Sequence, residues 1–162
     1  MCWQCDHPGG TRLDYLEHVR DLIACCGWTV QGVQRDRIRP PSAYTVGLTS
    51  RGKPELLVTG LPLARAADLL NDVASHVLHA DAPLPGEQVP LIGGPVIEIV
   101  EVAEPTVHLV IAAEIFGPEI RALQLVTPTI AVTGRGRRDS VVSAGVSRSS
   151  GCARLSARQG LS

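Results

Sequence analysis

Apolar and polar positions along the chain follow two rhythms, and the changes between them mark its elements. Tyr15, Leu16, Val19, Leu22, Ile23 and Cys26 recur at helical spacing, with Arg12, Glu17, Arg20 and Asp21 on the other side. This pattern predicts a helix over 12–26. Thr11 and Asp14 have the spacing of a capping box, and Gly27 suits the left-handed residue that ends a helix. Strand-like runs follow over 28–33, 43–49 and 55–59, the second rich in β-branched and aromatic residues. Gly52-Lys53-Pro54 reads as the turn into the third.

A second helix is expected over 62–79, with proline in its first turn. Leu63, Ala66, Ala67, Leu70, Val73, Ala74 and Val77 form its inward stripe; Arg65, Asp68, Asp72, Ser75, His76 and His79 face out. After a Pro/Gly-rich loop over 82–86, strands over 88–92 and 96–102 flank Gly93-Gly94-Pro95. A third helix over 106–116, closed by Gly117-Pro118, and a last strand over 120–126 complete the pattern. Strands grouped between helices, with no internal repeat, point to an α+β fold. Its expected form is a mainly antiparallel sheet with about three helices packed on it.

The patterning fades after Val126, and composition changes at the same place. The 162 residues carry 15 basic and 16 acidic side chains, which suggests a neutral protein. Residues 1–126 hold nine basic and fifteen acidic groups, a net of −6, whereas 127–162 hold six and one, a net of +5. The second stretch has seven serines and no aromatic residue, too little apolar surface to offset the entropy of ordering. It is therefore expected to be a disordered basic tail on a single domain spanning 1–126. Its arginines are scattered and nothing in it stacks on bases, so a nucleic-acid partner is not expected. No apolar run is long enough to cross a membrane. The beginning has no basic and apolar signal regions, so a cytoplasmic location is expected.

Four stretches carry a family resemblance: Met1 to Pro8, Ala43-Tyr44-Thr45-Val46-Gly47-Leu48-Thr49, Pro54-Glu55-Leu56-Leu57-Val58-Thr59-Gly60-Leu61, and Arg121-Ala122-Leu123-Gln124-Leu125-Val126. Over residues 1–126 the chain resembles the bacterial domain of unknown function 4262. The resemblance implies a small soluble domain and supplies no catalytic residue. It also implies that the last strand continues into an acidic turn, a glycine and a Pro-Trp pair, none of which follows Thr127. Read in another frame, codons for Thr127 to Arg135 are compatible with Tyr-Ala-Asp-Asp-Arg-Gly-His-Trp-Pro-Trp. A one-base deletion near codon 127 accounts for both the missing motif and the change of composition. A natural lineage-specific tail is the competing reading. With the frame shifted, the last strand loses its continuation and aromatic cover and is expected to expose apolar surface and an edge.

Candidate chemistry is sparse. Cys2, Cys5 and His7 form a C-x-x-C-x-H cluster with donors suited to Zn²⁺, but a structural site needs four ligands. The fourth would come from His18, Cys25, His76, His79 or His108, none of which is signalled by spacing. Ordinary reduced thiols are the favoured explanation of the cluster, ahead of zinc or a thiol redox role. Asp72, His76 and His79 share one helix face, as metal ligands or as a solvated polar surface. Arg35, Arg37 and Arg39 suit a carboxylate or phosphate, or form a wet loop. Tyr44, Thr45, Glu55 and Thr59 lie on or beside neighbouring strands, as pocket lining or as ordinary strand residues.

No nucleophile–base motif and no carboxylate pair stands out. The expected function is binding of a small molecule or a protein by Arg35, Arg37, Arg39, Tyr44, Thr45 and Glu55. The alternative is a zinc-supported or metal-dependent enzymatic domain built on Cys2, Cys5 and His7.

Overall fold

A computed structural model describes residues 6–91, 96–127 and 155–158. Helix α1 covers Arg12–Cys26, as the periodicity implies. The capping box forms: the Thr11 N–H donates to Asp14 Oδ2 at 2.7 Å, and the Asp14 N–H donates to Thr11 Oγ1 at 3.3 Å. At the other end Gly27 takes φ +88° and its N–H donates to the Ile23 carbonyl at 2.8 Å. Strands β1 (Thr29–Val33), β2 (Ser42–Val46) and β3 (Glu55–Thr59) follow, then helix α2 (Leu63–His79). After α2 come β4 (Gln88–Pro90), β5 (Val96–Glu101), the single turn α3 (Pro105–His108), α4 (Val110–Phe116) and β6 (Ala122–Val126). A seventh strand, β7, is formed by Leu155–Arg158.

The sheet order is β4-β5-β6-β3-β2-β1-β7. Pairing is antiparallel except for β3 with β6 and β1 with β7, so the expected mainly antiparallel α+β sheet with three longer helices is observed. Helices cover both of its faces. Ala43, Leu56, Val58, Leu123 and Leu125 join Ala66, Leu70, Val73, Ala74 and Val77 of α2 in one core. Their neighbours Tyr44, Val46, Leu57 and Ala122 join Leu16 and Val19 of α1 and Ile111 and Ala112 of α4 in the other. Strand alternation sends successive residues to opposite cores, which is why β2 and β3 are buried almost throughout.

The β5 end is covered on one face only. Ile97 and Ile99 are buried, while Val96 and Val100 remain 44% and 40% exposed. Gln88, Val96, Glu98 and Val126 line a shallow depression there. The exposure expected of the last strand itself is not found: β6 lies between β5 and β3, so it forms no edge, and its apolar residues are buried or half-buried. Of the tail expected to be disordered, Thr127 and Leu155–Arg158 lie within the described residues, and Leu155–Arg158 pairs with β1.

Two expected elements are corrected. The strand expected over 43–49 ends at Val46, because Gly47 (φ +133°) turns the chain into a short 3-10 helix, Leu48–Arg51. The helix expected over 106–116 is broken at Leu109 (φ −107°, ψ 59°). The break buries both Leu109 and Ile111 completely and turns the Ile111 N–H towards the Tyr44 hydroxyl, which accepts it at 3.3 Å. A continuous helix would instead satisfy that N–H four residues back.

Candidate functional site

Thr45 and Glu55 are brought together, but away from solvent. Glu55 opens β3 and is fully buried. Its Oε2 accepts from the Thr45 hydroxyl at 2.7 Å. Its Oε1 accepts from the Gly47 N–H at 3.0 Å, the Thr49 N–H at 2.9 Å and the Thr49 hydroxyl at 2.8 Å. The Thr45 oxygen in turn accepts the Leu56 N–H at 2.8 Å, so the hydroxyl proton is committed to Glu55. Burial pushes the Glu55 carboxyl above its ordinary range, while the four donors pull in the opposite direction. With its bonds spent on the β2–β3 connection, this carboxyl shapes a loop and has little capacity left for a substrate.

Tyr44 sits one residue before Thr45 and therefore points to the opposite face. It is buried, with its oxygen directed to the start of α4. Across the ladder from it lies Gln31, also buried. Gln31 Oε1 accepts from the Tyr15 hydroxyl, while its Nε2 has no hydrogen-bond partner among the described residues. Nearby, Arg12 pairs with Glu114, joining α1 to α4, and its guanidinium also feels Tyr44 and Tyr15. Tyr15, Gln31, Arg12 and Glu114 were not marked as a group by the sequence. A glutamine in an apolar strand opposite a tyrosine is the one signal that could have found them.

Arg35, Arg37 and Arg39 lie on the exposed connection between β1 and β2, apart from the Thr45–Glu55 pair in their chemistry. The connection is ordered by Asp36, whose Oδ1 accepts the Ile38 and Arg39 N–H groups, each at 2.7 Å. The Asp36 N–H donates to the Arg39 carbonyl at 3.2 Å, closing the turn. Those two N–H bonds hold the Asp36 carboxyl below the usual range, with Arg39 helping. The turn leaves Ile38 92% exposed, and Arg35, Arg37 and Arg39, close to it in sequence, are exposed as well.

A family model described as a domain of unknown function, DUF4262, matches residues 22–131. The chain belongs to this family. No curated protein and no solved structure matches it. The DUF4262 match takes in the Arg35–Arg39 turn, the Thr45–Glu55 pair and Tyr44. It starts within α1, leaving the Cys2–His7 stretch outside, and runs past Val126 to residue 131.

Cys2 and Cys5 lie outside the described residues, and His7 is exposed. No three His, Cys, Asp or Glu side chains converge on a metal position among the described residues. His79, from the polar face of α2, has its Nδ1 2.7 Å from the Ser75 carbonyl oxygen. Cys25 is exposed and Cys26 half-buried, as the rim and stripe positions of α1 imply. No helix among the described residues is long and apolar enough to cross a membrane.

Proposed function

We propose that this DUF4262 chain is a cytoplasmic binding domain that recognises an acidic protein surface through the Arg35–Arg39 turn. The observation that carries the reading is the presentation of Ile38, 92% exposed at the tip of a turn fixed by Asp36. Exposing an isoleucine costs the free chain its burial, roughly 1.5–3 kcal/mol, which a partner's surface can recover. Arg35, Arg37 and Arg39 are exposed on the same short connection, and their planar cations can bind a partner's carboxylates in pairs beside this apolar anchor. The Thr45–Glu55 pair serves this site indirectly by fixing the far end of β2. Tyr44 does so by tying β2 to α4.

The zinc-supported alternative rests on Cys2 and Cys5, which lie outside the described residues, and no observation on the described residues favours it. A photo-reactive residue placed at Ile38 tests the proposal, with Leu84, another exposed apolar residue at 71%, as control. In cells, the Ile38 position should yield a discrete protein adduct that disappears when Arg37 and Arg39 are changed to glutamate. Equal adduct patterns at Ile38 and Leu84, or an adduct indifferent to the arginine changes, would sink it.

A further inference from the structure

The two edges of the sheet are built differently. The β4 edge is protected: the strand has three residues and ends in Pro90, which offers no N–H to a further strand. The β1 sequence, Thr29-Val30-Gln31-Gly32-Val33, has no charge and no proline, and all but Val33 are buried. It pairs evenly with β2 over all five residues, without a bulge. A strand of this kind is a template for another strand, and Leu155–Arg158 occupies it in parallel register, Val30 opposite Leu155 and Val33 opposite Arg158. A parallel neighbour cannot arrive through a hairpin. It is joined to the end of β6 only through residues 127–154.

From these features we infer that the β1 edge is a strand-exchange site, at which Leu155–Arg158 of a second copy replaces the chain's own strand. The backbone ladder is the same in both cases. A tether of this length holds the strand at an effective concentration of roughly millimolar, so a second copy competes once chains reach that range. Exchange of an identical element is a low-cost route to a dimer. The inference is independent of the Arg35–Arg39 turn, which uses side chains and not this edge.

The test uses full-length chains. Ala157→Pro removes an N–H from the ladder and disfavours the paired conformation of the residue before it, while leaving residues 1–126 unchanged. An unchanged circular dichroism spectrum confirms that the body is folded. Hydrogen exchange of the β1 amides that face Leu155–Arg158 should be at least tenfold faster in isotope-labelled Ala157→Pro than in the parent, while those paired with β2 stay protected. Adding unlabelled parent chain at about 1 mM should slow it again. A synthetic peptide of residues 153–160 should do the same, and its Ala157→Pro version should not. Unaltered exchange in the variant would show that Leu155–Arg158 does not fill the edge. Faster exchange that neither the parent chain nor the peptide slows would exclude exchange between copies.

Discussion

Removing the Glu55 carboxyl is the sharpest test of its assignment as a loop-forming group. In Glu55→Ala, the Gly47 and Thr49 N–H groups and the Thr45 hydroxyl lose their acceptor at once. Each orphaned buried group costs about 1–3 kcal/mol, and Thr49 is only half-buried, so the expected loss is about 4 kcal/mol. At roughly 3–5 °C per kcal/mol for a domain of this size, Tm should fall by about 12–20 °C. Glu55→Gln keeps an acceptor for Gly47 and Thr49 but sets an amide N–H against the Thr45 oxygen, and should cost only about 1 kcal/mol.

The pH dependence separates burial from hydrogen bonding. Burial raises the Glu55 pKa in the folded state, so the folded chain holds this proton more tightly than the unfolded chain does. The associated stability is present below the ordinary carboxyl range and is lost as pH rises through the raised value. Glutamine does not titrate there. The stability advantage of the parent over Glu55→Gln should therefore shrink between pH 4 and pH 7.5. Urea unfolding followed by far-ultraviolet circular dichroism measures it at each pH. An advantage that widens with pH would mean that the four donors outweigh burial and hold the group ionised, and the sign argued here would be wrong.

Further outcomes follow from other positions. Gly47→Ala should destabilise by more than 2 kcal/mol, since φ is +133° and an added Cβ would lie 2.6 Å from the Gly27 carbonyl oxygen and 2.8 Å from Trp28 Cα; urea unfolding reads this. Tyr44→Phe should cost about 1–3 kcal/mol by leaving the Ile111 N–H without an acceptor, with faster exchange of that amide. Metal analysis of protein purified without chelators should find no stoichiometric zinc; zinc that is lost in Cys5→Ser would reinstate the Cys2, Cys5 and His7 site. The DNA across codons 120–162 should encode an acidic turn, a glycine and a Pro-Trp pair in an alternative frame; without them the deletion near codon 127 is refuted.

The parts of the fold legible in the sequence are those set by local periodicity. Helix α1 could be placed because its stripe, its Thr11–Asp14 cap and its Gly27 terminus all lie within one short segment. The ends of β2 and of the helix after Glu104 were not legible, because tertiary partners set them. Gly47 leaves the strand where the Gly27–Trp28 backbone and the Glu55 carboxyl meet it, and Leu109 breaks the helix where Tyr44 arrives from another layer. For the candidate site the division is the same. The three arginines could be read from one short segment, whereas the Asp36 turn that orders it appears only in the structure, and the burial of Tyr44 depends on two helices distant in sequence.

Glu55 lies between these cases, and its role follows from counting donors. Thr45, Gly47 and Thr49 offer two hydroxyls and two backbone N–H groups within five residues, at a point where a strand must stop and turn. A cluster of that kind, if buried, needs an acceptor with several lone pairs and no proton of its own to place, and a carboxylate supplies it. An acid at the head of an otherwise apolar strand, Glu55-Leu56-Leu57-Val58, is therefore accounted for by the donors ten to six residues before it. The same count argues against a catalytic role for Glu55: a group whose acceptor positions are mostly taken by its own loop can act on a ligand only by disturbing that loop. Function in this domain is better sought where structure leaves a side chain outward without a structural reason, and Ile38 is the clearest such residue.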